Sequence, residues 1–180
     1  MKANTYEYPD FDKFNTFPKL LKHRSEIMPD EVALRNKDLG IWNEITWDEY
    51  NKIVSELAIG LKSIGFKKGD VLALIGDNKP EWVFFEIACH ANGGMSLGVY
   101  RDTLDDEVGY LVKSAKVKFA YAEDQEQVDK LINVQKKLKT KIKVIYDDPR
   151  GLEKLKNPNV INMKDLASVG KKQLDKNNKL

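Results

Sequence analysis

Apolar positions along this chain change their period from segment to segment, and each change marks an element. Asn15-Thr16-Phe17-Pro18 predicts a helix start, with Thr16 as cap and Pro18 in the first turn. Leu20, Leu21 and Ile27 supply its apolar side, and Pro29-Asp30 ends it. Glu31–Asn36 and Ile41–Ile45 alternate around Lys37-Asp38-Leu39-Gly40, which predicts a hairpin. Thr46 and Glu49 have the spacing of a capping box. Trp47, Tyr50, Val54, Leu57, Leu61 and Ile64 then recur at three and four, so they line one face of a helix. Gly65 suits the left-handed position just past its end. Val71–Ile75 is apolar without interruption, as in a strand covered on both faces.

The second half repeats a strand–helix rhythm. Pro80 opens a helix whose core, Trp82 to Cys89, is apolar nearly all round and therefore buried on several sides. Gly93-Gly94 stops it before a strand at Met95–Val99. Thr103 is the expected cap of a helix carrying Leu104, Val108, Leu111 and Ala115. Val117–Ala122 reads as a strand, and Asp124 as the cap of a helix carrying Val128, Leu131, Val134 and Leu138. Ile142–Ile145 is a further strand, closed by Asp147-Asp148-Pro149. Beyond Arg150 only a short strand at Val160-Ile161 and a short helix near Met163–Ala167 are predicted. The basic, polar run from Gly170 to Lys179 reads as a solvated tail or linker. This order predicts an α/β fold with a mostly parallel sheet flanked by helices. The expected division is an extension at 1–13, an α/β unit at 14–168 and a polar tail or truncated linker at 169–180.

Composition narrows the class. The 180 residues are 42% hydrophobic and 32% charged, enough to bury a core beneath a charged surface. Thirty basic against 28 acidic residues leave a net charge of +2, without the clustered basic excess of a nucleic-acid binder. One cysteine, Cys89, permits no intrachain disulfide and points to a reducing, cytoplasmic compartment. No stretch has the length of a bilayer span. Peripheral contact with a membrane and formation of a homodimer stay open.

The candidate chemistry is thin. Neither a Walker-type phosphate loop nor a dinucleotide-binding glycine pattern occurs. Gly93-Gly94-Met95-Ser96-Leu97-Gly98 runs from helix into strand, the reverse of the order that a helix-terminus phosphate site needs. Gly76-Asp77-Asn78-Lys79-Pro80 has the right order, but Pro80 removes an amide donor, so a structural turn is expected. Cys89 and His90 are helix neighbours that point about 100° apart and cannot form a nucleophile–base pair. His23 lies on a basic helix face and is expected to be exposed. Two histidines and one cysteine lack ligand spacing for a metal. Asp105-Asp106-Glu107 complements a helix dipole, and Asp147-Asp148 marks a turn. Tyr100-Arg101-Asp102 lies at the carboxyl end of a strand, where open α/β sheets gather ligand contacts, although a loop-tying role is the first expectation. Trp47 and Trp82 are expected core anchors.

Four ordered segments within residues 14–146 resemble the AMP-forming acyl-CoA synthetases, in particular the long-chain fatty acid–CoA ligase branch. They are Ile45-Thr46-Trp47-Asp48-Glu49-Tyr50; Gly69-Asp70-Val71 with Gly76-Asp77-Asn78-Lys79-Pro80-Glu81-Trp82; Gly93 to Thr103; and Glu123-Asp124-Gln125-Glu126-Gln127-Val128. The resemblance implies the N-terminal subdomain of the acyl-adenylate-forming fold. It implies a parent enzyme that uses ATP, magnesium and coenzyme A to convert a fatty acid to its thioester. That family's Ser/Thr/Gly-rich phosphate loop, its later Thr-Glu motif, its adenosine-binding acid and the lysine of its C-terminal domain have no counterpart here. No catalytic, cofactor-binding or metal-ligating residue is therefore assigned, and the isolated chain is expected to be inactive with no cofactor bound. The expected partners are the remaining domains of the same polypeptide. The alternatives are a non-catalytic α/β binding or dimerisation module and, less favoured, a small flavodoxin-like nucleotide binder.

Overall fold

A computed structural model describes residues 8–177. The element order is α1 (Phe17–Ile27), β1 (Val32–Asp38), β2 (Ile41–Thr46), α2 (Trp47–Ser63), β3 (Val71–Ile75), α3 (Pro80–Ala91) and β4 (Met95–Val99). There follow α4 (Asp105–Ser114), β5 (Phe119–Ala122), α5 (Gln125–Leu138), β6 (Lys143–Tyr146), β7 (Val160–Asn162) and α6 (Met163–Asn177). β1 and β2 form an antiparallel hairpin. The other five strands form one parallel sheet in the order β4-β3-β5-β6-β7. Both faces are covered, which is the expected mostly parallel α/β architecture.

Alternation along each strand divides the core in two. Leu72, Leu74, Phe119, Tyr121 and Ile145 point to the layer made by α1, α2, α3 and α6. Val71, Ala73, Ile75, Ala120, Ala122 and Val144 point to α4 and α5. Strands with both faces in apolar contact need uninterrupted apolar sequence, which accounts for the run at Val71–Ile75.

Local signals place most boundaries. Thr16 Oγ1 accepts the Lys19 amide at 3.4 Å. Thr46 and Glu49 exchange the two hydrogen bonds of a capping box, at 3.3 and 2.9 Å. Asp124 caps α5 by accepting the Gln127 amide at 3.1 Å.

Three expectations are corrected. Thr103 does not cap α4, because the helix begins at Asp105 and Thr103 falls one residue short of the cap position, its amide closing a turn onto the Tyr100 carbonyl. Leu104 takes the cap position and is exposed, and its amide reaches Glu107 Oε2 instead. β5 begins at Phe119, two residues later than predicted, although Val117 is buried. The polar run from Gly170 is not an irregular tail but continues α6 to Asn177, with residues 171–176 mostly exposed as expected of a solvated segment. Gly170 is buried against α2, where a Cβ would stand 1.8 Å from the Glu56 carbonyl oxygen and 3.0 Å from the Gly60 nitrogen. Two glycines at one crossing, Gly60 and Gly170, let the backbones of α2 and α6 approach closely. Residues 1–7 of the expected extension and 178–180 of the expected tail lie outside the described residues.

Candidate functional site

The chain leaves β3 for its neighbour β4, then crosses back over β3 to β5. The carboxyl ends of β3 and β5 therefore feed segments on opposite faces, with α3 on one and α5 on the other. Such a switch point is the default ligand crevice of an open parallel sheet. It also holds the amino end of α3, whose free amides favour an anion.

A carboxylate of the chain itself lies beside that end, in the turn that precedes it. Glu123 follows β5 directly, with its side chain 7% exposed, and its Oε2 accepts the Asp77 amide at 2.6 Å. Its Oε1 pairs with Lys79, the residue before Pro80 at the start of α3. A Cβ at residue 76 would stand 2.9 Å from Glu123 Oε2, so Gly76 is what lets the carboxylate into the turn. The Glu123 amide donates to the Ile75 carbonyl, and its carbonyl accepts from the Asp148 amide at 2.9 Å. One residue thus ties the ends of β3, β5 and β6 together.

Charged groups extend this knot outward. Arg101, after β4, donates to Asp77 Oδ2 at 2.7 Å and lies 3.7 Å from Asp124 Oδ2. Lys130 of α5 donates to the Arg101 carbonyl at 2.5 Å. Burial pushes the Asp147 carboxyl above its usual range, with Lys79 pulling it down and Asp148 pushing it further up. Burial also raises Glu81, reinforced by the nearby charge of Asp147. Burial would lower Lys79, but its bond to Glu123 prevails and the net direction is upward. Asp148 is held low by its hydrogen bonds from Arg150.

The sequence candidates are distributed as follows. Arg101 does tie its loop, whereas Tyr100 is exposed at the rim of a cleft of about 250 Å³ with Gly76, Asn78, Trp82, Gly98 and Val99. Trp82 and Trp47 are both half-buried against the core. Cys89 is fully buried, and burial pushes its thiol up to about 12. His90 Nε2 lies 3.1 Å from Ser96 Oγ, which in turn donates to Glu86 Oε1 at 3.2 Å. The serine proton is thus committed to Glu86. His23 is half-buried rather than exposed, stacked on Phe14 with ring centroids 4.0 Å apart. Asp106 pairs with Lys137 across α4 and α5. Among the described residues no group of three or more His, Cys, Asp or Glu side chains is placed to hold a metal ion. The residue that sequence reasoning missed is Glu123. Its partner Asp77 lies 46 positions away, and only the position of Glu123 just past an apolar strand hinted at a role.

This site does not fit a nucleotide phosphate. The turn before α3 already holds the Glu123 carboxylate, Lys79 is paired with Glu123, Pro80 donates nothing, and Asp77, Glu81, Asp124, Asp147 and Asp148 add negative charge nearby.

Comparison with known proteins agrees with the architecture. The chain is 27% identical over 142 residues to the long-chain-fatty-acid–CoA ligase ACSBG1 of Homo sapiens, covering 78% of this chain and 19% of that protein. It is 25% identical over 142 residues to the Bos taurus ligase of the same name, with the same coverage. The chain thus spans about a fifth of the length of these relatives. The luciferase-like enzyme of the mealworm Zophobas morio superimposes with a TM-score of 0.74 at 17% identity, over 89% of this chain and 35% of that one. The putative long-chain-fatty-acid CoA ligase of Rhodopseudomonas palustris gives 0.69 at 21% identity, over 84% of this chain and 36% of that one. The family model described as AMP-binding enzyme matches residues 21–178, nearly the whole chain, and the protein belongs to that family.

Proposed function

We propose that this chain is the N-terminal portion of an AMP-forming long-chain fatty acid–CoA ligase of the cytoplasm. The parent enzyme would join a fatty acid to coenzyme A with cleavage of ATP to AMP and pyrophosphate, magnesium screening the phosphates. The chain supplies part of the protein shell and none of the reacting groups. Its natural partners are the other domains of the same polypeptide. The observation that carries this reading is the family match over residues 21–178, joined to coverage of only 19% of the matching ligases. The carboxylate-filled switch point supports the second half of the reading, because adenylation needs preorganised donors and a metal around the reacting phosphate.

Fatty-acid-dependent exchange of pyrophosphate into ATP tests it. The 180-residue chain alone gives no exchange above background. Co-expression with the downstream polypeptide restores thioester formation from ATP, fatty acid and coenzyme A. Exchange by the chain alone refutes the assignment of the reacting groups to other domains.

A further inference from the structure

The β1–β2 hairpin contributes little to the core beyond its base. Ala33, Leu34 and Ile45 pack against the α-helical layer, whereas residues 37–44 are exposed throughout. Its tip is apolar nonetheless. Leu39 is 96% exposed, Ile41 67% and Trp42 62%. The two-residue loop between the paired Asp38 and Ile41 has positive φ at both positions, +46° at Leu39 and +84° at Gly40. Turns of that hand favour Asn-Gly, and a bulky residue at the first position is strained. Leucine at 39 is therefore unfavourable twice over, as a left-handed residue and as an apolar side chain in water. Strain and exposed apolar surface held at one point indicate a use for that point.

We propose that this hairpin tip inserts into the interfacial zone of a phospholipid bilayer. Leu39, Ile41 and Trp42 form a wedge on a ribbon two strands wide. Three side chains fall well short of the roughly 800 Å² per partner that a separate protein needs for stable binding. A bilayer surface needs no such matching area, only a few apolar groups at the right depth. The polar groups suit the same depth. Lys37 pairs across the hairpin with Trp42, and its ammonium stands 5.7 Å from the centre of the indole ring. Indole settles at headgroup level, and a lysine stem beside it carries its charge out to the phosphates. Two pairs back, Arg35 and Glu44 neutralise each other at 2.8 Å, and the carboxylate that remains near the tip is the exposed Asp38 opposite Ile41, its charge balanced by Lys37 beside it. No described helix is long and apolar enough to cross a membrane, so contact through this tip is peripheral.

The test is co-sedimentation of the full chain with phosphatidylcholine vesicles, with and without phosphatidylserine, alongside Leu39→Asn and the triple variant Leu39→Asn/Ile41→Thr/Trp42→Thr. The wild type partitions onto neutral vesicles, and brominated acyl chains quench part of its indole emission. Leu39→Asn weakens partitioning about tenfold, the loss expected for one buried leucine side chain, and at the same time raises Tm because asparagine tolerates the left-handed turn. The triple variant stays in the supernatant. A role of the tip in stability alone would move Tm and binding in the same direction. The proposal is overturned if the wild type ignores vesicles, or if the triple variant binds as well. Binding only with phosphatidylserine and abolished by salt overturns it too, as does tip-dependent dimerisation in place of vesicle binding. None of these readings involves ligase activity, so failure here and failure of the proposed function are separately visible.

Discussion

Glu123 accepts the backbone amide hydrogen of Asp77 at 2.6 Å and so occupies the turn between β3 and α3. A carboxylate of the chain itself thus sits in the crevice where open α/β sheets gather ligand contacts. The crevice becomes a joint between strands, rigid and acidic.

Removing that carboxylate leaves the Asp77 amide without its acceptor and Lys79 without its ion-pair partner, although Asp147 and Glu81 stay near the lysine. Glu123→Ala is expected to lower stability by about 3 kcal/mol. Glu123→Gln keeps an acceptor for Asp77 and loses only the charge on half-exposed Lys79, so its cost is about 1 kcal/mol. Urea denaturation of the three proteins measures both. Equal midpoints for all three would refute the joint.

Gly170 permits the contact of α6 with α2. Gly170→Ala forces a Cβ to within 1.8 Å of the Glu56 carbonyl oxygen, which is backbone and cannot rotate away. The helices must separate, at a cost of about 2 kcal/mol or more. Circular dichroism melts of the variant should show a lower Tm. An unchanged melt would mean that α6 does not dock on α2 in solution.

Asp147 gives a pH signature. Burial raises its folded-state pKa above the unfolded value, so the charged form penalises the fold. The penalty is absent below the unfolded pKa, grows as pH rises past it, and is complete above the folded pKa. Asp147→Asn is therefore more stable than the wild type at neutral pH, and the difference fades towards about pH 3. Denaturation midpoints of both proteins across that range check the sign, and an advantage that grows on acidification would contradict it.

Cys89 reports on the core between α3 and the sheet. Its thiol is buried and raised to about 12 by that burial, with Glu86 adding to the effect and the Leu72 backbone opposing it. Aromatic disulfide reagents should leave it unmodified in the native protein at neutral pH and react only as the chain unfolds. Labelling in urea should follow the unfolding curve, and rapid labelling in buffer would show that the helix opens locally.

The sequence by itself determined the elements and their order, because hydrophobic period and capping chemistry act over a few residues. Thr46 with Glu49, Asp124 before α5, and the unbroken apolar run at Val71–Ile75 are each readable without a partner elsewhere. The parallel sheet followed from that order, since strands joined through helices run the same way. What tertiary structure decided lies between distant residues. The polar stretch from Gly170 onward has no apolar period, yet it continues α6, whose docking on α2 rests on the close approach that Gly60 and Gly170 permit. Glu123 reads as a surface acid at the head of a helix, and only the strand order β4-β3-β5 brings it beneath the Asp77 amide. Strand order is set by how apolar faces share a core, a property of the whole chain, so the closing of the switch point appears only when the sheet is assembled.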